Sequence, residues 1–442
     1  MAQFNFHEIK VIDDSMNDME VIRNIINTKN QDQAFYIANI GSVIKRHDEW
    51  IAKMPRVTPH FGIYFKFHAF PFLQMRINGN GKSCKVEISL IVFLSSILAL
   101  KCNSDPMVIK VLAALGACFD CASEQEIKLV MQHGVHGDRI IFAHPTKYSS
   151  HIAYAKKVGV KQMTVDSEAE LFKIKDIFPD AKIVIRIRCD AKVTQVVLGL
   201  KFGCEPNDEA VHLIRLTKDL GLNLYGFSFH VGSPCGELEA YSRGIAICKQ
   251  LIAISQSIGC NNVQLIDIGG GFPSETGTNV DEFATIINEA IRDLDPAIRV
   301  ISEPGSYYVS SSFTLASYVH SERVISQHDK TMRMYYMNSG VYHSFVEELL
   351  GLKARIPQLL SEPTSNEKFW STLWGPTASS YDLIVKDVLL PELHVGDWLI
   401  WRDIGAYSTA LATTFNGYPA PIVIPIIRRS DWEDFERRIT LA

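Results

Sequence analysis

Leu265-Ile266-Asp267-Ile268-Gly269-Gly270-Gly271-Phe272-Pro273 reads as a short buried strand running straight into a glycine turn. Three successive glycines carry no Cβ, so the backbone N–H groups after the strand can come close to an anion. Taken alone the run is a weak signal, because glycine turns are common. The elements around it decide what it means.

Working outward, the chain after residue 95 alternates between short β-branched or aromatic runs and longer helical patterns. Strands are predicted near 96–101, 117–122, 139–143, 162–165, 182–188, 224–231, 263–268 and 299–303, with helices such as 107–116, 124–133, 148–158, 206–220, 236–258 and 280–293 between them. Eight strands alternating with helices predict a (β/α)8 barrel. In that fold the polar residues at strand C-termini converge on one face. Lys101, Asp120, Arg186, His230, Gly269–Gly271 and Glu303 all fall at such ends. By this count the glycines follow the seventh strand, where barrels commonly hold a phosphate. Isolated polar residues would explain one or two of these positions, not the set.

Past residue 310 the helical pattern thins, and strand-like runs appear at Phe313–Val319, Met332–Met337, Trp398–Arg402 and Pro421–Ile427. The expected organisation is an N-terminal segment, 1–40, packing with a β domain; a barrel over 41–312; and a C-terminal β domain over 313–442. Residues 62–98 fit none of this. Their flanks, 55–61 and 99–103, would join into one strand, so 62–98 reads as an insertion into barrel strand 1. It is either translated non-coding sequence or a genuine excursion whose tail, Phe93–Leu98, completes the strand.

The net charge of −5 offers no basic excess to meet nucleic acid or an anionic membrane. The longest apolar run, Ile88–Leu100, is thirteen residues, short of the about 20 that span a bilayer. Nine cysteines without framework spacing favour a reducing compartment, and a cytoplasmic location is expected. The N-terminus lacks the basic and apolar regions of a signal peptide. Cys118 and Cys121 form a CxxC with no second pair at zinc spacing, so no metal site is expected.

A lysine at a strand end can link covalently to an aldehyde cofactor that acts as an electron sink. Such a cofactor's ring nitrogen works best protonated, which calls for a carboxylate; Glu303 is the candidate. His230 could stack on the ring, and Ser233 offers a hydroxyl for a phosphate.

Phe119–Ser123, Ser228–Ser233, Asp267–Pro273, Trp374–Thr377 and Gly405–Tyr407 together resemble the ornithine decarboxylase and antizyme-inhibitor family across nearly the whole chain apart from 62–98. The resemblance implies an alanine-racemase-like barrel that binds pyridoxal phosphate. It implies that Lys101, Asp120, Glu126, Arg186, His230, Ser233, Gly269, Gly270, Gly271, Glu303 and Tyr407 bind or tune that cofactor, with Lys101, His230 and Glu303 the catalytic set. It also implies a homodimer, or a heterodimer with a family member, bridged by Lys201 and Asp382. An antizyme-contacting, locally basic surface is expected over 147–161.

The departures from the family pattern cluster. Ser306 stands where the family has a phosphate-binding arginine, and Ala378 and Ser379 replace a cysteine and an aspartate. Leu350 and Gly351 replace a Tyr–Asp pair that reaches substrate. Ornithine's distal ammonium needs a carboxylate partner, and a hydrogen bond to a charged group contributes roughly 1.5–3 kcal/mol. The expectation is therefore a protein of putrescine metabolism that is catalytically weak or inactive and binds antizyme. The alternative is an active ornithine decarboxylase that makes putrescine.

Overall fold

The computed structural model describes residues 6–29, 31–62, 102–327, 330–363 and 365–441. Lys101, the strand expected near 96–101 and the segment 63–98 lie outside them.

Eight parallel strands close into a barrel in the order Val57–Gly62, Cys118–Cys121, Ile140–Phe142, Gln162–Val165, Lys182–Arg186, Asn223–Ser228, Leu265–Asp267 and Arg299–Ser302. The (β/α)8 expectation holds. The first strand differs in one detail. Val57 pairs with Val300 of the last strand, and Gly62 pairs with Asp120 of the second. Gly62, at the edge of the segment expected to be an insertion, thus pairs within the barrel.

Side chains fill the interior: Ile141, Val184, Tyr225, Leu265 and Ile301, from five of the strands, pack in one apolar cluster. Local chemistry sets where the outer helices begin. Asp105 accepts from Met107 N at 2.9 Å and Val108 N at 3.2 Å, capping Pro106–Ala114. Helices Ser149–Val158 and Glu239–Ile258 end on glycines in the left-handed region, Gly159 and Gly259.

A second sheet runs in the order Lys10–Ile12, Ile422–Arg428, Phe35–Asn39, Phe313–Gln327, Lys330–Met337, Lys368–Trp374 and Leu383–Pro391. Phe35–Asn39 lies parallel to Ile422–Arg428 and antiparallel to Phe313–Gln327, so the N-terminal segment is stitched into the C-terminal sheet. Its period of two divides the faces. Phe35 and Ile37 pack with Val21, Ile22 and Ile25 of helix Asp18–Lys29, while Tyr36 and Ala38 join the main core. The C-terminal region also holds a helix, Arg429–Leu441, that the thinning of helical signals did not predict. Its Phe435 packs on Phe6 with ring centroids 5.2 Å apart. Among the described residues no helix is long and apolar enough to cross a membrane.

Candidate active site

The strands end together at one mouth. Register places Gly62 beside Asp120, Arg186 beside Ser228, and Asp267 between Ser228 and Ile301. A cavity of about 350 Å³ opens there. Asp120, Glu126 and Arg186 line one part of it, and His230, Ser233 and Glu303 another. Gly270, Gly271, Ser306 and Tyr407 also line it, Gly269 does not, and Lys101 lies outside the described residues.

The glycine turn is held by its carbonyls. Gly269 O accepts from Glu303 N and from Ser302 Oγ, both at 2.7 Å, and Gly270 O accepts from the Tyr241 hydroxyl at 2.7 Å. Gly271 has φ +103°, and a Cβ on Gly270 would lie 2.6 Å from Glu303 O. Only glycine fits this close approach. Among the described residues no acceptor takes the Gly270 or Gly271 amides. Both glycines line the cavity and bring no side chain to it, which leaves two N–H donors open to a phosphate.

His230 lies against this turn, with its Nε2 3.2 Å from where a Gly270 Cβ would be. Its Nδ1 accepts from Gly232 N at 3.1 Å, which places the ring proton on Nε2 in the neutral form. Burial draws Arg186 below the usual arginine range, with Glu303 and Asp267 pulling the other way. Glu126 has a structural task as well. Its Oε2 accepts from Ala122 N at 2.5 Å while its own N–H donates to Ser123 Oγ at 3.2 Å, a reciprocal cap on helix Glu124–Gln132.

Cys102, the first described residue after Lys101, is fixed in the cavity wall. Its carbonyl accepts from Tyr407 N at 3.0 Å, and Asn103 Nδ2 donates to Gly405 O at 2.8 Å. Cys102 Sγ lies 3.8 Å from Ser306 Oγ. Burial pushes the Cys102 thiol up to about 12, an inert sulfur, with the Ser306 hydroxyl opposing. Burial likewise raises the Tyr407 phenol.

One expectation, the exposure of Lys147, needs correction, and four other positions are held apart from the cavity of their own chain. Ala378, Ser379 and Gly351 do not line the cavity of their own chain. Ser379 Oγ instead meets the Tyr342 hydroxyl at 2.7 Å, and Gly351, at φ +69°, closes the end of helix Val346–Leu349. Asp382, expected to bridge to Lys201 across two subunits, is held within its own chain. It is 1% exposed, accepts from Val341 N at 2.8 Å, and takes both the amide and the hydroxyl of Thr377. Lys147 is not part of a basic surface. Its ammonium is buried beside Glu170 at 2.9 Å, because the segment turns inward before helix Ser149–Val158.

Sequence reasoning missed two paired cations at the cavity wall. Lys353 pairs with Glu275, from the loop beyond the glycine turn. Arg355 pairs with Glu347 and, at 2.6 Å, with Glu348 Oε1, and also donates to Asp403 O at 3.1 Å. Burial acts to lower Arg355, yet the two carboxylates outweigh it and hold the guanidinium above its usual range. The Glu347-Glu348 doublet followed by Arg355 was the available signal.

A parallel barrel with a phosphate-ready glycine turn at its mouth and a β domain against it defines a cofactor-binding barrel. Residues 88–310 match the family model described as pyridoxal-dependent decarboxylase, pyridoxal binding domain. The ornithine decarboxylase 2 of Drosophila melanogaster is 36% identical over 418 residues, 93% of this chain and 96% of that protein. The antizyme inhibitor 2 of Xenopus laevis is 35% identical over 429 residues, 94% of this chain and 85% of that protein. Among solved structures, the arginine decarboxylase of Paramecium bursaria Chlorella virus, bound to agmatine, superposes with a TM-score of 0.80 at 33% identity, covering 92% of this chain and all of that one. The chain belongs to the pyridoxal-dependent decarboxylase family that includes ornithine decarboxylases and antizyme inhibitors. Its fold is the alanine-racemase-like barrel with a C-terminal sheet domain, and its cofactor is pyridoxal phosphate.

Proposed function

We propose that this chain binds pyridoxal phosphate in the barrel cavity, decarboxylates ornithine weakly or not at all, and regulates polyamine synthesis by binding antizyme. One observation carries the loss of turnover. The cavity carboxylates outside the expected cofactor set, Glu275 and Glu347, are each already held by a cation, Lys353 and Arg355. Neither is available to a substrate's distal ammonium, and positions 351, 378 and 379 carry no acid.

Bound in the cavity, the cofactor supplies an electron sink for carbanion chemistry. The chain's own part is to hold it. The Gly270 and Gly271 amides and the Ser233 hydroxyl would take the phosphate, Glu303 would keep the ring nitrogen protonated, and His230 would pack on the ring. Lys101, outside the described residues, would carry the covalent link.

For antizyme, Lys156, Lys157 and Lys161 remain exposed after the removal of Lys147 from the surface set. The deciding experiment measures CO2 release from ornithine and antizyme affinity on the same preparation, beside an active family enzyme. Robust turnover would replace this reading with that of a working ornithine decarboxylase, which the intact ring-binding set favours. Absence of antizyme binding would remove the regulatory role.

A further inference from the structure

Ser306 leaves the cavity short of one cation, yet a guanidinium reaches the same wall from the other domain. Arg355 follows helix Val346–Leu349 of the C-terminal region and lines the cavity together with Ser306 and Tyr407. Its side chain is 11% exposed. It faces two carboxylates, so with both ionised the three groups sum to one negative charge. Two polar atoms of the cluster have no partner among the described residues: Arg355 Nε and Glu348 Oε2 are both buried and unbonded. Such atoms mark an arrangement that is not fully satisfied as it stands. Glu347 sits close enough to the Cys102 thiol and the Tyr407 hydroxyl to add to the burial that raises both.

We propose that Arg355 is the guanidinium that serves the phosphate end of this cavity, and that Glu347 restrains it, so that an incoming phosphate and Glu347 compete for one cation. This rests on the reading of the cavity as a pyridoxal phosphate site. A planar guanidinium with an unbonded Nε can offer a phosphate a two-pronged contact. The Glu347 carboxylate both occupies that guanidinium and repels a phosphate dianion. The Glu348 carboxylate, 1% exposed and held at 2.6 Å, stays with the arginine in either state.

The test compares pyridoxal phosphate with pyridoxal, which lacks the phosphate, by equilibrium dialysis against the full chain. Glu347→Gln should tighten pyridoxal phosphate about tenfold and leave pyridoxal unchanged. Arg355→Met should weaken pyridoxal phosphate by a similar factor, again with pyridoxal unchanged. A purely structural role would move both ligands together. An unchanged ratio of the two affinities in both variants overturns the proposal. Should Arg355→Met fail to fold, Glu347→Gln decides alone. Should the unaltered chain bind neither aldehyde, the cofactor reading itself fails, and the inference with it.

Discussion

The Tyr241 hydroxyl donates to the Gly270 carbonyl at 2.7 Å, tying helix Glu239–Ile258 to the turn that faces the cavity. Tyr241 is fully buried, with its ring 5.2 Å from that of Phe272. The same tyrosine therefore supports the turn from behind and packs the chain just beyond it.

Removing that hydroxyl leaves a buried carbonyl without its donor. Tyr241→Phe should destabilise the fold by about 1–3 kcal/mol, the cost of an unsatisfied buried acceptor. It should also weaken pyridoxal phosphate, because the Gly270 amide loses its fixed direction. Denaturant unfolding and cofactor titration check the two parts. Unchanged cofactor affinity in a destabilised variant would show that the turn keeps its geometry without Tyr241.

Ser306→Arg should tighten pyridoxal phosphate, since a charge-assisted contact returns beside Tyr407. The gain should be larger when Glu347→Gln is combined with it, because Glu347 would otherwise pair with the new guanidinium. Turnover is harder to restore. Ala378→Cys with Ser379→Asp recovers only part of a site whose groups act as a unit. Gly351→Asp adds left-handed strain at φ +69°, on the order of 1 kcal/mol. CO2 release from ornithine should remain far below that of a family enzyme in the double variant.

Lys147 makes the pH prediction. Burial lowers it to about 8, with Glu170 opposing. The folded state therefore releases this proton more readily than the unfolded chain. Stability from this group is present above the unfolded value near 10.5 and is lost as pH falls through about 8. Lys147→Met should fold, because Glu170 keeps Lys173 at 2.7 Å. The variant should also lose the rise in stability between pH 8 and 10.5 that the unaltered chain shows. Equal pH slopes for the two proteins would contradict the burial. Antizyme binding should be unaffected by Lys147→Met and weakened by Lys156→Glu with Lys157→Glu.

The barrel was legible because its strands are short apolar runs such as Ile140–Phe142 and Leu265–Asp267, and their ends carry polar residues at regular intervals. The glycine turn was legible through its position, since it follows the seventh strand, where barrels commonly hold a phosphate. Helix Arg429–Leu441 was missed although Trp432, Phe435 and Ile439 repeat at helical spacing, because its acids and arginines hid the stripe. Arg355 and Lys147 depend on partners brought by tertiary folding. A lysine in a basic run reads as surface until Glu170, 23 residues away, is seen to neutralise it in the interior.

The segment 63–98 gives the last prediction. Before it, the first barrel strand is already paired on both sides: Val57 pairs with Val300, and His60, Phe61 and Gly62 pair with Cys118, Phe119 and Asp120. Beyond the segment, Cys102 and Asn103 are fixed by Tyr407 N and Gly405 O, so the position of the chain after Lys101 is set independently. Closing a loop of any such length costs little, about 0.6 kcal/mol for each doubling. Deleting 63–98, and not Gly62, should therefore give a chain that folds, unfolds at a higher temperature and binds pyridoxal phosphate at least as tightly. Removing Gly62 as well should weaken it, because the pairing with Asp120 at the cavity mouth is lost. Thermal unfolding and cofactor titration of the two deletions decide. If the 63–98 deletion is unfolded or blind to the cofactor, the segment is part of the working barrel and the reading of it as an insertion is wrong.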